Sequence, residues 1–128
     1  HPKARLISIN HVPTSGGTVQ PAREVGAIAR RHGVLYLLDA CQSVGQLAVD
    51  VEDLGCDMLT ATGRKFLRGP RATGLLYLRK GVLGRLDPSV LDQEGAILAS
   101  EAEYRPREDA RVFEQYEYNF AGKLGLTL

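Results

Sequence analysis

Val34-Leu35-Tyr36-Leu37-Leu38 is an unbroken apolar run that ends on Asp39. A strand with one solvated face would alternate apolar and polar residues, so five apolar residues in succession call for cover on both faces, the condition of a parallel strand in an α/β sheet. The preceding segment supplies a crossover helix. Pro21 opens it, Val25, Ile28 and Ala29 are expected on one face of the stretch from Ala22 to His32, and Gly33 stands where a left-handed cap ends the run. Leu6 to Ile9 reads as an earlier buried strand, and Pro13-Thr14-Ser15-Gly16-Gly17 as the loop that leaves it.

Beyond Asp39, residues Val49 to Gly55 contain a short helical turn, Cys56 to Ala61 form a strand, and Thr73 to Arg79 form another. Residues 62 to 72 are too few for a crossover with its helix, so the last strand is expected to run antiparallel to its neighbour in a mixed sheet. Gly81 to Arg85 reads as a helical turn. Asp87 to Ala110 shows no sustained period and is expected to be a long irregular excursion, and Ala121 to Leu128 to begin a helix.

A chain of 128 residues with 44% hydrophobic content supports one domain at most. Sixteen basic against fifteen acidic residues leave a net charge of +1, which gives no global attraction for nucleic acid or an anionic membrane. Tyr and Phe are scattered rather than interleaved with basic residues, so no base-stacking platform is indicated. Cys41 and Cys56 lack C-x-x-C spacing, which points to a reducing compartment, by default the cytoplasm, rather than a disulfide or metal site. No apolar stretch approaches the ~18 to 20 residues that span a bilayer, and His1-Pro2-Lys3-Ala4-Arg5 carries no signal-peptide core. There is no initiator methionine, so the chain is expected to begin inside a larger architecture.

Ligands in an open α/β sheet sit beyond the carboxyl ends of the parallel strands. Three such ends deliver polar groups here: Asn10 to Thr14, Asp39 to Gln42, and Thr62 to Lys65. Taken singly, Lys65 is a solvated charge in a basic loop, Asp39 a helix cap, and Gln42 a loop amide. Together, an apolar strand, Asp-Ala-x-Gln, a second strand, then Thr62-Gly63-Arg64-Lys65 and Gly69-Pro70-Arg71 form an ordered set of carboxylate, amide, hydroxyl and amine. Phosphate-loop spacing is absent because Gly69 is followed by Pro70. His11 is expected to be structural, Cys41 to turn into the sheet packing, and Arg68 and Arg71 to be solvated charges or ion-pair partners.

That ordered set resembles the class V aminotransferase family, fold-type I pyridoxal phosphate (PLP) enzymes that include cysteine desulfurase-like and isopenicillin N epimerase-like members. The resemblance implies a three-layer α/β/α large domain with a mostly parallel mixed sheet, of which residues 1–128 form the central portion; the N-terminal part and the C-terminal small domain are expected elsewhere. By the same match, Asp39 is the partner of the cofactor's pyridinium nitrogen, Gln42 bonds its phenolic oxygen, Thr62 contacts its phosphate, and Lys65 is the Schiff-base lysine and proton shuttle. Thr14 falls where the family often places an asparagine near the phenolic oxygen. Arg64 falls where desulfurases carry histidine; it suits a phosphate but not neutral proton acceptance, which argues against a desulfurase. Tyr116-Glu117 replaces a Gly-Thr that reaches the partner subunit's phosphate in desulfurase-like members. Ala72 replaces a glycine and is expected to strain the loop by about 1 kcal/mol or more if φ is positive there.

The implied function is transamination, racemisation or lyase chemistry on an amino acid or amine, in a homodimer, with no metal. Two other readings stand beside it. The chain is a non-catalytic truncated fragment or interaction module of such an enzyme, with open sheet edges that favour self-association. Alternatively, Arg64, Lys65, Arg68 and Arg71 form a salt-sensitive anion-binding module.

Overall fold

The computed structural model describes His1 and residues 3–127. It divides into two compact units, His1–Tyr77 with Phe120–Leu128, and Leu78–Asn119.

The first unit is built on a four-stranded sheet in the order β1 (Leu6–Asn10), β2 (Leu35–Asp39), β3 (Met58–Thr62) and β4 (Gly74–Leu78). β1, β2 and β3 are parallel, with Asn10 opposite Asp39 and Asp39 opposite Thr60. β4 runs antiparallel, as the short connection requires, and the Gly63 N–H donates to the Thr73 carbonyl at 2.8 Å where that connection closes.

Local chemistry accounts for the first helix, α1 (Ala22–His32). Pro21 needs no intrahelical donor at the start, Glu24 lies in the positive first turn, and Arg30, Arg31 and His32 lie in the negative last turn. Gly33 has φ 63°; its N–H donates to Arg30 and that of Val34 to Ala29, the paired bonds of a Schellman cap. α2 (Val51–Leu54) is opened by the Asp50 carboxylate, which accepts from the Glu52 and Asp53 N–H groups, and is closed by Gly55 at φ 65°.

The face that α1 buries differs from the one expected. Ala22, Gly26 and Ala29 are buried and Val25 is half-buried, whereas Ile28 is 46% exposed. The reason is Gly26: a Cβ there would stand 2.2 Å from the Leu54 carbonyl oxygen, so the two helices approach on the glycine rather than on the larger Ile28. Arg23 and Asp53 form an ion pair across the same contact.

α1 and α2 pack on one face of the sheet, where Tyr36, Leu38, Leu59 and Ala61 join Ala22, Ala29, Leu54 and Cys56 in the core. By register and pleat the other face carries Asn10, Asp39, Thr60 and Thr62 toward the carboxyl edge. In the same unit, α3 (Phe120–Thr127) sets Leu126 and Gly125 against the loop after β3, near Gly63, Gly69 and Pro70. Leu128, expected in this helix, lies outside the described residues.

The second unit corrects the expectation of an irregular excursion over residues 87 to 110. It contains a 3₁₀ turn (Lys80–Arg85), an antiparallel hairpin of β5 (Ala96–Ser100) and β6 (Glu103–Pro106), and a second 3₁₀ turn (Ala110–Phe113). The hairpin was not legible because almost all of its residues are exposed, so no alternation is imposed on them, and its turn has no Gly or Asn-Gly signal. Val82 and Val112 are the buried apolar residues of this unit. The Asp92 carboxylate ties its ends by accepting from the N–H groups of Glu94 (2.8 Å), Gly95 (3.3 Å) and Tyr116 (2.7 Å). Those bonds hold the Asp92 carboxyl below its usual range, the Tyr116 bond most.

Candidate functional site

Asn10, Asp39 and Thr62 end three neighbouring strands on the same face, so the register alone gathers an amide, a carboxylate and a hydroxyl at one edge. Asp39 is half-buried and engaged on both oxygens. Asn10 Nδ2 donates to Oδ2 at 2.8 Å, and the Cys41 backbone N–H donates to Oδ1 at 3.0 Å. No helix directly follows Asp39, so it is not the helix cap it would be if taken singly: its Oδ1 closes a two-residue Asx-type turn, and the carboxylate retains further acceptor capacity.

Thr14 and Gln42 are brought together: Gln42 Nε2 donates to Thr14 Oγ1 at 2.9 Å, joining the loop after β1 to the turn after β2. A second tie runs beneath it. His11 Nδ1 and Ser43 Oγ stand 3.0 Å apart, both buried, and the Ser43 hydroxyl also approaches the Ala40 carbonyl at 3.3 Å. With the hydroxyl hydrogen on Ala40, His11 donates from Nδ1 and stays neutral; burial lowers its pKa, in keeping with the structural role expected. Ser43 gave no signal in the sequence, since a lone serine after a strand has many uses.

The Lys65 loop is shaped by glycines. A Cβ on Gly63 would meet Thr73 Oγ1 at 2.1 Å, and one on Gly69 would meet Leu126 Cδ1 at 2.5 Å. The turn itself is closed by Arg68 N–H to Lys65 carbonyl (2.9 Å) and Gly69 N–H to Gly63 carbonyl (2.7 Å). Arg68 and Ala72 both take positive φ, 58° and 60°, so the left-handed strain foreseen for Ala72 is present. Among the described residues Thr62 Oγ1 reaches only the Thr73 carbonyl, at 3.5 Å, which leaves its hydroxyl weakly engaged. Lys65 is half-buried, Arg64, Arg68 and Arg71 are exposed, and Lys65 Nζ has no hydrogen-bond or ion-pair partner among the described residues.

Gly45 brings the two turns together, a role the sequence did not disclose. Its φ is 92°, and a Cβ there would stand 2.7 Å from the Phe66 carbonyl carbon and oxygen, so the turn bearing Gln42 packs directly on the backbone beside Lys65. Cys41, expected in the sheet packing, is instead half-buried at this edge. Burial pushes its thiol pKa up, the adjacent Asp39 carboxylate adds to that, and the Thr62 backbone and Arg64 charge oppose it. A thiol so placed stays protonated at neutral pH and is a poor nucleophile.

The chain as a whole is similar to known proteins. The sequence profile described as aminotransferase class V matches residues 1–122. A probable cysteine desulfurase of Methanothermobacter thermautotrophicus is 39% identical over 122 residues, covering 95% of this chain and 30% of its own. The apo structure of the cysteine desulfurase from Thermococcus onnurineus NA1 superposes with a TM-score of 0.87 at 31% identity, over 96% of this chain and 31% of that one. The cystine C-S lyase C-DES, solved in complex with its reaction product cysteine persulfide, superposes with a TM-score of 0.88 at 31% identity, over 98% of this chain and 34% of that one. A C-DES variant has been solved with glycine covalently linked to its PLP cofactor. The present chain thus spans about a third of the length of these relatives.

Proposed function

The chain belongs to the aminotransferase class V family, and on that premise we propose that it forms the central portion of the cofactor-binding large domain of a PLP enzyme acting on an amino acid or amine. The observation that carries this reading is Asp39: a carboxylate at the end of the central parallel strand, fixed on both oxygens, at the sheet edge it shares with Thr62. The turn bearing Gln42 packs beside Lys65.

The donor set fits PLP group by group. Asp39 would accept a hydrogen bond from the protonated ring nitrogen, and Gln42 with Thr14 would reach the phenolic oxygen. Thr62 and the permanently charged Arg64 would hold the phosphate, the guanidinium in bidentate fashion. PLP, when bound, supplies an electron-accepting ring conjugated to the carbon that takes the substrate nitrogen. Lys65 would hold the cofactor's carbonyl carbon through its amine and, once released, move the proton at the substrate α-carbon. Asp39 would keep its negative charge against the ring nitrogen through that transfer, and the glycine-shaped Lys65 loop would set the amine's approach.

The names of the relatives support lyase chemistry at a carbon–sulfur bond of a cysteine-type amino acid within the wider choice of transamination, racemisation and lyase reactions. Arg64 bears on that choice, because it can bind an anion but not accept a proton as a neutral imidazole would. We further infer a homodimer, and a reducing compartment such as the cytoplasm, in which Cys41 and Cys56 remain the free thiols they are here. No described helix is long and apolar enough to cross a membrane.

Borohydride reduction of the PLP-loaded protein followed by peptide mapping tests the assignment. The label is expected on Lys65 and is lost in Lys65→Ala; label on another lysine in the parent protein would sink the reading.

A further inference from the structure

We propose that Asn10 is a positioning residue for Asp39: its side-chain amide sets the plane in which the carboxylate meets the cofactor's ring nitrogen. The proposal rests on the PLP reading above and adds to it a residue from a different strand.

A carboxylate turns easily about its last side-chain bond, because that torsion has broad wells rather than three sharp ones. One donor would leave Asp39 free to swing. The structure supplies two, on opposite oxygens: the Cys41 N–H on Oδ1 at 3.0 Å and Asn10 Nδ2 on Oδ2 at 2.8 Å. The Cys41 donor is backbone and comes with any residue but proline at that position. Asn10 is the half that depends on side-chain identity. Its orientation follows from chemistry, since an ionised carboxylate only accepts and the amide must present Nδ2 rather than Oδ1.

The placement is a consequence of register. β1 and β2 are parallel and Asn10 pairs directly with Asp39, so the two side chains leave the sheet on the same face as neighbours. A slip of one residue would turn Asn10 to the helix-covered face and bring Ile9 or His11 beside the carboxylate. The Cys41 thiol also hydrogen-bonds the carboxylate, and with roughly four acceptor directions on its two oxygens the clamp still orients the group without using up its capacity to accept. The arrangement resembles the outer partners that orient metal ligands, where the ligand's direction is fixed by a neighbour that never touches the metal.

The test compares Asn10→Leu, which keeps the bulk and removes the donor, with Asn10→His, whose neutral Nδ1–H can stand near the place of Nδ2. Three quantities are read in the purified protein: PLP affinity by titration, the pH midpoint of the visible absorbance of bound PLP, and kcat against KM. Loss of a charge-assisted hydrogen bond at a partly solvated pair is expected to raise the PLP Kd about tenfold in Asn10→Leu. The absorbance midpoint should shift, and kcat should fall more than KM rises. Asn10→His should recover Kd to within about threefold, as retention of the donor predicts. Because Asn10 is exposed at a strand end, the melting temperature should stay close to the parent's in both variants. Asn10→Leu with the parent's Kd and absorbance midpoint overturns the positioning role and leaves the PLP reading standing. A parent protein that binds no PLP overturns both.

Discussion

Replacing Gly45 by alanine is the most direct way to separate the two turns that form the candidate site. The added Cβ would lie 2.7 Å from the Phe66 carbonyl carbon and oxygen and 2.9 Å from the Leu67 nitrogen, all backbone atoms that cannot rotate away. An ordinary contact begins at 3.4 Å, so the turns must part by about 0.7 Å. Two costs add. Alanine at φ 92° carries left-handed strain of about 1–2 kcal/mol, and overpacking against rigid neighbours adds roughly 1–3 kcal/mol. A total near 3 kcal/mol is a large share of the ~5–15 kcal/mol that holds a domain together, and at roughly 3–5 °C per kcal/mol it lowers the melting temperature by about 10 °C. Displacing the Lys65 backbone on this scale should also weaken PLP binding and turnover by up to about a hundredfold. Gly26→Ala is the control: its Cβ would strike the Leu54 carbonyl oxygen at 2.2 Å, on the helical face rather than at the strand ends. Calorimetry and PLP titration on both variants decide the matter. Both should melt earlier, and only Gly45→Ala should lose cofactor affinity beyond what its unfolded fraction explains. A Gly45→Ala protein that melts within 2 °C of the parent and binds PLP normally would refute the idea that this contact sets the Lys65 turn.

In a complete version of the proposed enzyme, Asp39→Asn keeps the shape of the side chain but removes its charge, so PLP should still be bound while turnover falls by about two or more powers of ten, read by steady-state kinetics. Ala72→Gly relieves left-handed strain of about 1–2 kcal/mol against the ~0.5–1 kcal/mol of extra chain entropy that glycine brings to the unfolded state, so a net gain of up to about 1.5 kcal/mol should appear as a melting point a few degrees higher. Burial depresses the folded-state pKa of His11 below the ordinary imidazole value of 6.5, so the unfolded chain binds the proton first; the stability from neutral His11 is complete above that value and is lost as pH falls below it. Melting curves from pH 8 to pH 5 should show this decline, and it should be reduced in His11→Gln. At alkaline pH the sign reverses. Cys56 is raised from 9.0 to about 11 and Tyr36 from 10.0 to about 12, chiefly by burial, so stability is full below pH 9 and falls as pH rises toward 11; a Cys56→Ser variant should lose part of that slope.

What the sequence determined by itself is local. The apolar run before Asp39 makes a central strand, Pro21 and Gly33 bound α1, and the short link after β3 forces β4 to turn back, because each depends on residues adjacent along the chain. The polar groups at the strand ends were legible for the same reason: Asp39 and Thr62 terminate strands whose apolar residues mark their own limits. Only the tertiary structure decided which side chains meet. Asn10 reaches Asp39 across 29 positions because two strands pair in one register, and Gly45 touches Phe66 because two turns close on each other. The same holds for the buried His11–Ser43 pair and for the choice of Gly26 over Ile28 as the face α1 presents. Propensity and periodicity carry no information on such contacts, since they describe how a segment folds on itself, whereas register and close approach are fixed by the shape of whatever element arrives opposite.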